Sequence, residues 1–302
     1  MDNVSENVIP TFQVMQFATN VELLLQQKGS MLQNYVMIGN HVGKQASPVD
    51  QVGKIAAQKV TSRFADMGRV DAPTDRRWVY PVDYDLPQLI DQFDKLRLIT
   101  DPESTYSQNA MYAMGRARDI EIIEAFQAAA KTGETGGTST SFTAANEVDV
   151  AVGGTNSELN VAKLRAVREI ARSKHIDLDS DPLYCGLTAV DEAALLNEIE
   201  IISSDYKSGM APVLEDGRLR RFLGINFVFC EQIETTAAGT NEVNIPVWCK
   251  SGMHLGIWND MYTSVSTRHD LQGEPWQLYM AQTIGATRLD EDKVFNIESY
   301  RA

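Results

Sequence analysis

Residues 76–131, RRWVYPVDYDLPQLIDQFDKLRLITDPESTYSQNAMYAMGRARDIEIIEAFQAAAK, carry most of the information about the fold. Alternating large apolar residues from Trp78 to Leu86 predict a strand. Apolar residues at helical spacing then predict a short helix over residues 87–97. Asp101, Pro102 and Glu103 are typical of a helix start, and the pattern beyond them predicts a long helix over about residues 103–131. Such a helix spans roughly 40 Å. An extended segment that leads into one long helix is an unusual layout for an enzyme and favours a subunit that contacts its neighbours.

The preceding residues predict a two-stranded ribbon over residues 46–86. Its strands are expected at Ala56–Phe64 and Arg76–Leu86, with a turn-rich tip between them. An isolated two-stranded ribbon is marginal in water, so it must lie on its own body or on another copy. Its charged residues are predicted to form contacts between subunits, although a solvated hairpin of mixed charge is the alternative. The candidates are Arg63, Arg69, Asp71, Asp75, Arg76, Arg77, Asp83 and Asp85.

The remaining pattern indicates an α+β fold, because a ribbon and helices precede a run of strands. Residues 1–45 are interpreted as an arm, with a frayed terminus as the alternative. A loop rich in glycine, serine and threonine covers residues 132–157 and contains one short strand. Helices are expected over Ser157–Lys174 and after Thr188, which forms a capping box with Asp191. Strands are expected at 183–187, 224–229, 243–248, 252–258, 278–284 and 294–297.

Composition excludes several classes of function. The chain has 302 residues and a net charge of -14, which disfavours specific binding to phosphate backbones. Three widely spaced cysteines give no zinc-binding pattern and fit a reducing compartment. The first residues lack the features of a signal peptide, and no apolar run reaches the ~20 residues of a membrane span. A protein made inside a cell and kept off the membrane is therefore expected.

No motif in the sequence predicts a catalytic, cofactor-binding or metal-binding residue. Residues 39–44, GNHVGK, resemble a phosphate loop but have the wrong glycine spacing. Asp177, Asp179 and Asp181 have the opening spacing of a calcium loop, but Pro182 stands where the turn glycine belongs. A solvated acidic loop is the preferred interpretation, with a weak ion contact between subunits as the alternative. A site formed by a cysteine or serine and a distant histidine stays open, because such partners meet only in space.

Several segments together resemble the major capsid proteins of tailed bacteriophages, which have the Hong Kong 97 fold. The resemblance lies in the order and spacing of segments over nearly the whole chain, not in any short motif. The segments are VELLLQQKGSMLQNYVMIGNHVGKQASPVDQVG at 21–53, the stretch 76–125 within the quotation above, LGINFVFCEQI at 223–233 and TIGATRLDEDKVFNIES at 283–299.

The resemblance implies a domain layout. Residues 1–45 correspond to the N-terminal arm and 46–90 to the E-loop, an extended ribbon that overlaps the adjacent subunit. Residues 91–157 correspond to the P-domain with its spine helix at about 103–131, residues 158–243 to the A-domain, and 244–302 to a return into P-domain strands.

The resemblance also implies a function. The expected protein is a non-enzymatic subunit of an icosahedral phage head that encloses double-stranded DNA, assembled in the host cytoplasm and carried in the virion. Expected partners are other copies of the chain in pentamers and hexamers and a portal protein, with separate scaffold and cement proteins as further candidates. DNA is expected only as a non-specific neighbour. The alternatives are an encapsulin-like nanocompartment shell and, from another class, an unrecognised hydrolase.

Overall fold

The computed structural model describes residues 26–44, 46–59, 62–63, 68–90, 103–152, 154–198, 214–215, 218–233 and 241–301. The helices are α1 Glu103–Gln127, α2 Val161–Ser173 and α3 Ala189–Leu196. The strands are β1 Met37–Asn40, β2 Ala46–Val52, β3 Thr74–Val79, β4 Val82–Ile90, β5 Ala130–Thr132, β6 Thr138–Thr140, β7 Glu147–Val148, β8 Leu183–Leu187, β9 Leu214–Glu215, β10 Arg218–Leu219, β11 Arg221–Phe222, β12 Ile225–Phe229, β13 Glu242–Cys249, β14 Met253–Thr267, β15 Trp276–Arg288 and β16 Val294–Tyr300.

A four-stranded sheet in the order β1-β14-β15-β4 forms one layer of the protein. The antiparallel pair β14–β15 is its centre, β4 is antiparallel to β15, and β1 is parallel to β14. The helix predicted over residues 87–97 is wrong for residues 87–90, which belong to β4, and residues 91–97 lie outside the described residues. Apolar spacing over so short a run does not distinguish helix from strand, and pairing with β15 decides in favour of the strand.

Helix α1 packs on this sheet through both halves of its length. In the first half, Ala110 and Met114 form a buried cluster with Leu278 and Met280 of β15. In the second half, a larger cluster also reaches the other sheet. Ile122, Ile123 and Phe126 join a buried cluster with Trp248 of β13 and residues of β14 and β15. The predicted helix end near residue 131 is four residues too late, because α1 ends at Gln127 and residues 130–132 form β5. Two large apolar residues of α1, Tyr106 and Ile120, are exposed in the subunit.

A six-stranded sheet in the order β11-β12-β8-β13-β16-β7 holds the largest buried cluster, against which α2 packs. Helix α2 begins at Val161, four residues later than predicted, because the side chain of Asn160 accepts the N–H of Lys163 and caps it. The capping box before α3 is confirmed: the Asp191 carboxylate accepts the N–H of Thr188 at 3.3 Å and its hydroxyl at 2.7 Å. The short strand predicted within the loop at residues 132–157 was expected through residues 148–152, but β7 ends at Val148.

The last third of the chain forms strands as predicted, although β14 and β15 extend well beyond the predicted segments. Its strands enter two sheets. Strands β13 and β16 pair in the six-stranded sheet, whereas β14 and β15 form the centre of the four-stranded sheet. The domain boundaries inferred from the resemblance stay a prediction, and this division of strands shows that the last segment supports both layers.

The ribbon is attached to the body more firmly than the sequence predicts. Its first strand is β2 at 46–52 and not Ala56–Phe64, because residues 53–59 form no regular structure. Strand β3 pairs with β2 on one side and with β5 on the other, and β4 joins the sheet of β15. The base of the ribbon therefore folds against its own subunit, whereas the described residues 53–59, 62–63 and 68–71 nearer its tip are exposed.

Candidate assembly interface

The described residues at the tip of the ribbon are exposed and polar. Arg63 is exposed. Arg69 forms an ion pair with Asp71 at 2.8 Å, with their side chains 85% and 70% exposed. An ion pair this open to water contributes about 0–1 kcal/mol to the stability of a subunit. These three side chains are therefore available for contacts beyond the subunit.

Strand β3 carries two predicted residues that remain accessible, Asp75 and Arg76. The Arg76 guanidinium donates to both carboxylate oxygens of Asp50 in β2, at 2.5 and 3.1 Å, and lies over the ring of Trp78. The hydrogen bonds to Asp50 raise the pKa of Arg76 above its ordinary value. The Asp75 carboxylate accepts the backbone N–H of Gly133 at 3.0 Å. Arg76 is thus held in one orientation while part of its side chain stays exposed.

Arg77 points the other way, into its own subunit. Its side chain is buried, and its Nε donates to the carbonyl of Leu289 at 3.1 Å. A second guanidinium nitrogen lies 3.7 Å from the carboxylate of Glu291. The structure therefore gives Arg77 an intramolecular role, in contrast to the subunit contact predicted from the sequence. Alternation in β3 is the cause, because neighbouring residues of a strand face opposite sides.

Glu291 also contacts a second buried arginine, Arg288, whose Nε donates to the carboxylate at 3.0 Å. The same guanidinium donates to the carbonyls of Phe126 at 2.7 Å and Ala128 at 2.6 Å. These are carbonyls at the end of α1 that lack partners within the helix. The last turn of α1 has no basic residue of its own, so Arg288 supplies the positive charge that a helix C-terminus favours.

Asp83 and Asp85 lie on β4 in a different sheet from β3. Both are exposed, and the hydroxyl of Thr283 donates to Asp83 at 2.7 Å. In the described part of the chain, neither carboxylate is ion-paired with any of the four predicted arginines. The predicted residues therefore divide into four groups: the tip, the accessible residues of β3, the buried Arg77, and β4.

Sequence reasoning missed an anchor for the N-terminal segment in the middle of α1. Asp119 is completely buried, and its carboxylate accepts four hydrogen bonds from residues 27–32. The donors are Gln27 Nε2 at 2.5 Å, Ser30 Oγ at 2.5 Å, Met31 N at 2.9 Å and Leu32 N at 3.1 Å. A carboxylate without an adjacent cation is held in the interior only by such a complete set of donors.

Two arginines and a glycine of α1 complete this anchor. Arg116 donates to the side chain of Gln26 at 2.9 Å, and Arg118 donates to Gln33 at 3.1 Å and to Asp260 of β14 at 2.5 Å. A Cβ on Gly115 would lie 2.5 Å from the backbone of Gly29, so this glycine permits a close approach of the two backbones. The sequence signal for this anchor was the charged run RARD at residues 116–119, which directly follows Gly115 in the middle of the helix.

Catalytic and metal-binding candidates gain no support from the geometry. Cys185, Cys230 and Cys249 are buried, and burial raises the pKa of each thiol, to about 11 for Cys230 and about 12 for Cys249. The thiolate that a nucleophile requires is therefore scarce at neutral pH. The carboxylate of Asp177 accepts the N–H of Asp179 and the hydroxyl of Ser180 within its own loop.

Two observations concern ions and membranes. Among the residues that the structure describes, no group of three or more histidine, cysteine, aspartate or glutamate side chains could hold a metal ion. Within the same ranges, no helix combines the length and apolar character needed to cross a bilayer.

The sequence model of a family described as "Phage capsid protein" matches residues 8–300. The chain belongs to this family. No curated protein matches the sequence. Among solved structures, the cyanophage Pam1 capsid has 11% identity and a TM-score of 0.75, and the match covers 98% of this chain and 99% of that one. The capsid of Ralstonia phage GP4 has 11% identity and a TM-score of 0.68 over 100% and 99% of the two chains. The capsid of cyanophage P-SCSP1u has 13% identity and a TM-score of 0.68 over 96% and 94%.

These comparisons confirm the predicted Hong Kong 97-type α+β fold. The chain is a major capsid protein: a structural protein that self-assembles into a shell and is a component of the virion. The two alternatives, a nanocompartment shell and a hydrolase, are not supported. The predicted contact residues are not part of what the comparisons test.

Proposed function

We propose that this capsid protein forms an icosahedral tailed-phage head around double-stranded DNA and has no catalytic role. The observation that carries the proposal is the family match over residues 8–300. The net charge of -14 is consistent with a shell that does not adhere to its packaged DNA, because negative surfaces repel phosphates. Assembly in the host cytoplasm, a portal partner, and separate scaffold and cement proteins belong to the same proposal.

Contacts between subunits are proposed at the exposed side of the ribbon. Arg76 is the strongest candidate, because Asp50 and Trp78 hold it in position while part of its side chain remains exposed. The further candidates are Arg63, Arg69 and Asp71 at the tip, Asp75 on β3, and Asp83 and Asp85 on β4. Each exposed pair contributes about 0–1 kcal/mol, but repetition over a closed symmetric shell lets such pairs set register and specificity.

Electron microscopy of the expressed protein tests the shell directly, and Arg76→Glu tests the contact. We expect folded Arg76→Glu subunits that give few closed particles, whereas Arg76→Lys keeps the charge and assembles more fully. Arg77 is left unchanged, because its reversal would bury an acid beside Glu291 and confuse misfolding with failed assembly. Wild-type protein that remains a monomer or small dimer in light scattering would refute the shell. Normal particle yield from Arg76→Glu would refute only the contact.

A further inference from the structure

Two imidazoles meet where the N-terminal segment joins the four-stranded sheet. His41 directly follows β1, and its backbone N–H donates to the carbonyl of Ile257 at 2.8 Å, which continues the pairing of β1 with β14. His254 lies in β14. The Nε2 atoms of the two rings are 2.8 Å apart, at hydrogen-bond distance.

The backbone leaves room for these rings through two glycines. Gly39 of β1 and Gly256 of β14 are partners in register. A Cβ on Gly39 would lie 2.6 Å from the ring of His254, and one on Gly256 would lie 2.8 Å from the ring of His41. The ring of Trp258 is 5.3 Å from that of His41, measured between centroids. Side chains larger than glycine at either position would displace the pair.

The hydrogen bond between the rings depends on their protonation. One ring must be neutral so that its nitrogen can accept while the other ring donates. When both rings are protonated, both nitrogens are donors and two positive charges are in contact. Burial lowers the pKa of His254 to about 4, with the neighbouring His41 adding to the effect, and burial also lowers the pKa of His41.

The surroundings offer no compensating charge. In the described part of the chain, no charged side chain is hydrogen-bonded or ion-paired to either ring. The neighbour of His254 in β15 is Thr287, which is uncharged.

We propose that His41 and His254 form an acid-sensitive latch that keeps β1 on β14 at neutral pH and releases it in acid. Strand β1 has four register pairs with β14 and lies at the edge of its sheet, so its release leaves the rest of the sheet paired. The latch adds a regulated step to the proposed function. The latch itself lies within one subunit and does not depend on the proposed function. Only the use of the released N-terminal arm in a shell rests on that function.

The direction and size of the effect follow from linkage. Because the pKa of His254 is lower in the closed state than its ordinary 6.5, the closed state loses stability as pH falls below 6.5, and the loss levels off near pH 4. Between about pH 7 and about pH 4.5, this shift corresponds to a roughly 50-fold increase in the opening constant.

Hydrogen exchange of the unassembled full-length chain measures this opening. We expect the amides of residues 37–41 to lose protection by roughly 50-fold between these pH values, after correction for intrinsic exchange rates, while β16 keeps its protection. His254→Gln should reduce the response well below about 50-fold, because no buried imidazole remains to titrate in β14. His269→Gln replaces an exposed histidine in the turn between β14 and β15 and should behave as the wild type.

Three results would overturn the latch: unchanged protection of β1 in acid, an undiminished response in His254→Gln, or simultaneous loss of protection in β1 and β16. If His254→Gln does not fold, His41→Gln replaces it, and an undiminished acid response in that variant overturns the latch as well. Absence of particles in electron microscopy would refute the proposed shell while leaving this measurement valid. Normal particles with a pH-independent β1 would refute only the latch.

Discussion

Replacing Asp119 by asparagine tests how the N-terminal segment is attached to α1. The carboxylate accepts four hydrogen bonds, whereas an amide oxygen can accept two, and the amide nitrogen would face donors. Two lost hydrogen bonds to a charged group, at about 1.5 to 3 kcal/mol each, lower the free energy of unfolding by at least about 3 kcal/mol. The loss should be centred on residues 27–32, because every donor lies there.

Urea unfolding of the unassembled subunit measures this change in free energy, and hydrogen exchange at Met31 and Leu32 locates it. Glu124→Gln is the matched control, because it makes the same carboxylate-to-amide change on the same helix at an exposed position. The control should stay within about 0.5 kcal/mol of the wild type. If Asp119→Asn is equally stable and the amides of residues 31–32 keep their protection, the anchor has no energetic importance and the argument fails.

Two further predictions concern buried cations. Arg288→Met should lower the free energy of unfolding by about 3 to 5 kcal/mol, because it removes the cap of α1 and the partner of Glu291, and urea unfolding checks it; an unchanged midpoint would contradict this role. Burial lowers the pKa of Lys163 from its ordinary 10.5 to about 8. Between these two pH values the unfolded chain binds more protons than the folded chain, so the free energy of unfolding should rise with pH from about 8 to 10.5. Lys163→Met should lack that part of the rise in pH-dependent unfolding, and identical slopes would refute it.

Local patterns predicted local structure well. The capping box of Thr188 and Asp191, the alternation of β12 and the start of α1 depend on residues within a few positions of one another, and the structure contains each of them. The family resemblance, which depends on the order of such segments along the chain, was sufficient for the fold.

Contacts between distant residues could not be read from the sequence. Asp119 and its donors are separated by 87 to 92 residues, so no local pattern connects them. Residues 87–90 form a strand because they pair with β15. Gln88, for example, is the register partner of Leu278, which lies about 190 residues later in the chain. The opposite orientations of Arg76 and Arg77 depended in the same way on which face of β3 the body covers.

The carboxylate of Glu291 lies between two arginines that belong to different parts of the subunit. Arg77 is in the ribbon, and Arg288 holds the last carbonyls of α1. We therefore expect a force that a neighbouring molecule applies to the base of the ribbon to reach the end of the long helix through Glu291. In a shell, we expect adjustment of curvature to occur beyond this junction, in the exposed residues nearer the tip of the ribbon.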